Sequence, residues 1–166
     1  MATEKSLRSI LLGSWLWPEA AGAGVVFKEG GKGGLLCGHW PEHWLAAEFE
    51  WKPLGDSAST LDQVVDFDKD FEATFDIEMT LTRRVMPEAR EYAQEGFNEV
   101  HITDAAFRAR TYKVQLAKKT FAMADLSMFE WRSAPPPPDE NSCFGMRIVF
   151  DKSPYPPVEE WRQDTG

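Results

Sequence analysis

Five polar side chains stand where this chain's apolar runs could aim them at bound chemistry: His39, Glu48, Glu78, Tyr112 and Arg147. His39 is flanked by Cys37 and Trp40. Imidazole titrates near neutrality, so His39 leads as a proton-transfer group. Glu48 and Glu78 alternate with apolar residues. A carboxylate turned into an aromatic pocket has its pKa raised and can move protons. Alternation beside an apolar face ordinarily sends such carboxylates to water. Glu48 and Glu78 therefore serve only if their strands turn the charged face inward. Tyr112 and Arg147 are further polar groups able to reach a cavity.

Other chemistries lack their residues. His39 and His43 lie four apart, a ligand spacing on a helix, but Pro41 between them makes the segment a turn. His101 is distant in sequence. No metal site is expected. Gly30-Gly31-Lys32-Gly33-Gly34 lacks the Ser/Thr and the helix that follow a phosphate loop, so it reads as a hairpin turn. No Gly-x-Ser-x-Gly elbow and no dinucleotide fingerprint occurs. Any activity is expected to need no cofactor.

The elements that must position these groups read as strands. Ile10–Trp17, Val25–Lys28 and Leu35–Trp40 flank the glycine-rich turn. In His43–Lys52, Leu45, Ala47, Phe49 and Trp51 share one face, and Trp44, Ala46, Glu48 and Glu50 the other. Phe75–Thr82, Thr111–Leu116 and Phe144–Phe150 repeat the alternation, and Thr60–Phe67 and Phe121–Trp131 do so weakly. One dry and one wet face per strand means an antiparallel sheet closed over a core. Helix signals are few. Pro87–Phe97 suggests about three turns with Pro87 at the start and Gly96 near the end, and Thr103–Phe107 a short capped turn. Four consecutive prolines, Pro135–Pro138, form an exposed connector. The expectation is one all-β domain over residues 1–166: an antiparallel barrel of about eight to ten strands with one or two short helices.

Composition narrows the partners. The net charge of −9 offers no basic footprint for nucleic acid and would be repelled by an anionic membrane. Arg83-Arg84 and Lys118-Lys119 read as solvated strand ends. No run reaches transmembrane length, and the polar start lacks a secretory pattern, so a cytoplasmic location with reduced Cys37 and Cys143 is expected. Seven Trp and eleven Phe are a heavy aromatic load, enough both to fill a core and to wall a pocket. The expected pocket lining is Trp17, Phe27, Trp40, Phe49, Trp51, Met79 and Met146, with Tyr112.

Gly13-Ser14-Trp15 on the first strand, the glycine-rich hairpin after it and the alternating strands together resemble the calycin superfamily of lipocalins and fatty-acid-binding proteins. The Phe150–Pro157 ending is similar to small fungal proteins. The resemblance implies an aromatic-lined barrel that binds a small hydrophobic or aromatic molecule, in a fungal natural-product pathway. The alternative it implies is a cofactor-free isomerase or cyclase acting on a natural-product intermediate in the same cavity. A third reading is an interaction module that uses the polyproline segment.

Overall fold

The computed structural model describes residues 4–16, 24–39, 43–90, 96–122, 130–133 and 143–162. In chain order the elements are β1 (Glu4–Ser6), α1 (Leu7–Leu11), β2 (Gly13–Leu16), β3 (Gly24–Lys28), β4 (Lys32–His39), β5 (His43–Pro53), α2 (Ser57–Leu61), β6 (Val64–Asp66), β7 (Phe71–Val85), α3 (Phe97–His101), β8 (Arg110–Ala122), β9 (Glu130–Ser133) and β10 (Cys143–Phe150). Eight strands close an antiparallel barrel in the order β10-β8-β7-β5-β4-β3-β2-β9, and β1 pairs with β6 in a separate ribbon. The all-β barrel expected from alternation is what the chain forms, and it is compatible with a calycin-like fold. It departs from a simple meander at one place: β10 lies between β8 and β9.

Period two decides what is inside. Leu45, Ala47, Phe49 and Trp51 of β5 are buried, as are Phe75, Ile77, Met79 and Leu81 of β7, Tyr112, Val114 and Leu116 of β8, and Met146, Ile148 and Phe150 of β10. They form one hydrophobic cluster. Phe27 meets Phe49 and Trp51 edge to face, with centroids 5.6 and 5.4 Å apart, a geometry that adds to area burial.

The first expected strand is shorter than its apolar run. Residues 7–11 are helical instead, because the Ser6 hydroxyl caps the Ser9 amide at 3.1 Å and the i, i+4 pair Leu7 and Leu11 is buried at the barrel base. Gly13, at φ 132°, then turns the chain into β2. Leu61 of α2, a helix the sequence reading missed, is buried in the same cluster. At the opposite end the Tyr155 hydroxyl lies 3.2 Å from the Leu36 carbonyl, and Ile102 bridges to Trp161.

The segment expected as a helix over 87–97 is a 3-10 turn at Pro87–Ala89, with α3 starting only at Phe97; residues 91–95 lie outside the described ones. Its task is to cover the outer face of the sheet. Val85, Met86 and Ala89 pack on Ala46, Val26 and Leu36 in a second cluster. Asn98, fully buried, locks it down: its Oδ1 accepts from the Ala46 amide at 2.8 Å, and its Nδ2 donates to the Ala46 and Arg84 carbonyls at 3.2 Å.

The glycine-rich turn is also narrower than expected. Only Gly30 and Gly31 hold positive φ, while Gly33 and Gly34 lie inside β4. A Cβ on Gly33 would overlap the Phe49 ring and the Val26 carbonyl; one on Gly34 would meet only the Met86 side chain, most closely its flexible end at 2.7 Å. Gly33→Ala is therefore expected to cost about 1–3 kcal/mol, as core overpacking does, and Gly34→Ala clearly less. Urea melts of the two variants check the order; equal losses would refute close approach at Gly33.

Candidate functional site

The structure distributes the sequence-selected polar groups rather than gathering them. Glu48 and Glu78 alternate with buried residues and take the outer face. Arg84 Nη2 lies 3.2 Å from Glu48 Oε1, and Lys52 Nζ lies 3.5 Å from Glu78 Oε1. The inward turn that either would need does not occur, because Phe49 and Ile77 claim the core side. Lys32 bonds Glu50 at 2.7 Å and holds its carboxyl below the usual range. These pairs are exposed ion-pair chemistry of small energetic weight. Arg147 takes the outer set of β10, between Met146 and Ile148. His39 ends β4 as the cross-strand neighbour of His43, and its side chain lies outside the described residues, as do Trp17 and Trp40.

Tyr112 is a core residue. Its ring meets Phe150 at 5.8 Å edge to face, and burial raises its hydroxyl pKa, partly offset by Arg110. Arg110 and Arg108 pair with the buried Glu160 beside it. A folded-state pKa above the unfolded value near 10 makes this group's contribution fully present below pH ~10 and lost as pH rises through the folded value. Tyr112 is thus expected to ionise above the usual tyrosine range. In an alkaline titration followed by phenolate absorbance, a wild-type step that coincides with unfolding and is missing in Tyr112→Phe fits this assignment. A step at the ordinary tyrosine pKa, reversible in the folded protein and missing in Tyr112→Phe, contradicts it.

The expected pocket lining also separates. Phe27 and Phe49 are fully buried, ring against ring, as packing. Met79 and Tyr112 border a water-sized void of about 10 Å³. Trp51 borders a charged groove of about 290 Å³ with Lys32, Glu50, Lys52 and Glu78. A larger groove, about 520 Å³, is polar: Asp56, Ser57, Thr60, Asp76, Lys113 and Asp151 line it.

Met146 and Trp15 border a different kind of cleft. It measures about 310 Å³, within the range of small-ligand sites, and its other walls include Ile10, Leu12, Phe67, Lys5, Ser9 and Ser14. It lies along the closing seam of the barrel, between Gly13–Trp15 of β2 and Met146 of β10; among the described residues β9 joins β2 through Trp15↔Ser133 and Leu16↔Arg132, and β10 through Arg147↔Arg132 and the two pairs beyond. Trp15 and Met146 form its buried floor, 3% and 9% exposed, and Ile10, Leu12 and Phe67 its half-buried walls. Trp15 is held in place by its indole N–H, which donates to the Leu11 carbonyl at 2.9 Å.

Two lysines approach this cleft through Phe67. Lys5 Nζ sits 4.2 Å and Lys118 Nζ 4.6 Å from the Phe67 ring centroid, and Lys118 also donates to the Phe67 carbonyl. Lys118 is not a solvated strand end. It continues the inward set Tyr112, Val114, Leu116 and is the cross-strand partner of Met146. Counting by two along β8 finds it; reading Lys118-Lys119 as a charge pair hides it.

Among the described residues no group of three or more His, Cys, Asp or Glu is placed to hold a metal ion, and no helix is long and apolar enough to cross a membrane. Comparison with protein-family models, with curated proteins and with solved structures gives no match.

Proposed function

We propose that this protein binds a small hydrophobic or aromatic molecule, and that the seam cleft at the barrel base is where it does so. One observation carries the reading: the cleft presents the half-buried apolar side chains Ile10, Leu12 and Phe67, packed on the core residues Trp15 and Met146 that form its floor. An apolar surface of that kind gains free energy when a ligand displaces its water, at about 25 cal/mol per Å². Barrels of calycin type hold single small ligands, which supports the class of ligand and is the reason a natural-product intermediate belongs in any screen. The alternative, a cofactor-free isomerase or cyclase, needs a polar group facing the apolar wall at reacting distance. Glu48 and Glu78 lie in ion pairs on the outer face and do not supply it; the polar groups that do line the cleft, Lys5, Ser9 and Ser14, suit holding a ligand, so binding is the reading put first.

The test uses N-phenylnaphthylamine, a neutral dye that fluoresces in apolar sites. Saturable emission is expected, excited in part by energy transfer from Trp15. Leu12→Arg, at a half-buried wall position, is expected to weaken binding at least about tenfold, since it places a charge on the apolar wall. Non-saturable emission, or unchanged affinity in Leu12→Arg, would overturn the proposal.

A further inference from the structure

Resting on that reading, we infer that the ligand is an amphipathic anion: an apolar body against Trp15 and Met146, with one acidic group, a carboxylate, received by Lys5 and Lys118. Lys5, which lines the cleft, and Lys118, which meets it at Phe67, carry the inference. In a chain with 27 acidic residues against 18 basic ones, the cations on the outer face of the sheet pair with carboxylates: Lys32 with Glu50, Lys52 with Glu78, Arg84 with Glu48, Lys113 with Asp76. Lys5 and Lys118 do not; among the described residues neither has a carboxylate within ion-pair distance. Both instead stand over the ring of Phe67, a wall of the cleft.

The backbone arranges this. In the β1–β6 ribbon, Glu4 pairs with Asp66, and Lys5 with Val65. Cross-strand partners share a face, so the two acids take one face together and leave Lys5 on the other, which borders the cleft. Lys118 approaches from the inward set of β8. A lysine on the core-facing side of a strand is rare unless something pairs with it, and a carbonyl and a ring satisfy its donors without neutralising its charge. The rim adds two hydroxyls, Ser9 and Ser14. An acid there meets two positive charges and hydroxyl donors, while its apolar body covers Ile10, Leu12 and Phe67 above Trp15 and Met146.

The test compares a naphthoate with the naphthamide of the same substitution, nearly equal in shape and different in charge, each displacing N-phenylnaphthylamine. At low salt the acid is expected to bind about five- to tenfold more tightly, as two partly exposed ion pairs allow. That advantage should shrink on raising salt from 0.01 to about 0.5 M, because exposed charges are screened. It should vanish in Lys5→Gln/Lys118→Gln, with the amide's affinity kept. A circular dichroism melt of the double variant establishes that it folds, and Lys5→Gln alone, on the separate ribbon, is expected to lose about half of the advantage. Equal binding of acid and amide, or an advantage that survives both substitutions, overturns the inference and leaves the binding proposal standing. Failure of the neutral dye itself to bind overturns that proposal and this inference with it.

Discussion

Replacing Trp15 with alanine is expected to lower folding stability by about 3–5 kcal/mol, the range for a buried large aromatic. Trp15 is 3% exposed, belongs to the main core and donates its indole N–H to the Leu11 carbonyl. The substitution removes packing and also releases the end of α1, whose Leu7 and Leu11 fill the barrel base. In a domain of this size each kcal/mol moves the melting temperature by about 2–4 °C, so a fall of roughly 6–20 °C is expected. Trp15→Phe keeps most of the volume and loses the hydrogen bond, and should fall between. A melting temperature within about 2 °C of wild type for Trp15→Ala would show that the indole does not hold the barrel base.

Asn98→Ala is expected to cost about 3 kcal/mol. The amide satisfies the Ala46 N–H, the Ala46 carbonyl and the Arg84 carbonyl at once, and a buried group left without its partner costs about 1–3 kcal/mol. Ala46 needs such a partner because the β5–β7 register shifts between Ala47 and Phe49. There the Met86 N–H donates to the Ala46 carbonyl at 2.9 Å, and the Asn98 side chain satisfies the Ala46 N–H, which would otherwise be left without a partner. Native-state hydrogen exchange at Ala46 reads the effect locally: its protection should drop by more than that of Ile77 in the core. A uniform small change, below about 0.5 kcal/mol everywhere, would contradict a clamp.

The barrel was legible because alternation is local. Phe75, Ile77, Met79 and Leu81 announce their face whatever they pair with, and the same holds for Leu45 to Trp51. The misreadings occur where a local pattern is ambiguous or the cause is distant. Leu7 and Leu11 carry a helical spacing, but Leu11 falls inside the apolar run Ile10–Trp17 that reads as one strand. Gly33 looks like turn material, and only the position of the Phe49 ring shows why a strand needs it. Residues 85–90 and Asn98 answer to Val26, Leu36 and Ala46, which the sequence places far away.

The candidate site was less legible still. Periodicity says that Phe27, Phe49 and Trp51 face inward, but not whether the inside is filled, which depends on how eight strands pair. The seam cleft depends on bringing Gly13–Trp15 beside Met146 and Phe67, residues far apart in sequence. Lys118 could have been found, since it keeps step with Tyr112, Val114 and Leu116.

Blocking the seam tests the central claim most directly. Ile10→Trp adds bulk at a half-buried wall of the cleft without touching Phe27 or Phe49, and Trp40→Ala alters a residue expected to line an interior pocket. Titrating N-phenylnaphthylamine into both variants distinguishes the two locations. The account predicts that Ile10→Trp abolishes saturable binding, with a melting temperature near wild type, and that Trp40→Ala leaves binding unchanged. Binding kept in a folded Ile10→Trp and lost in Trp40→Ala would contradict it.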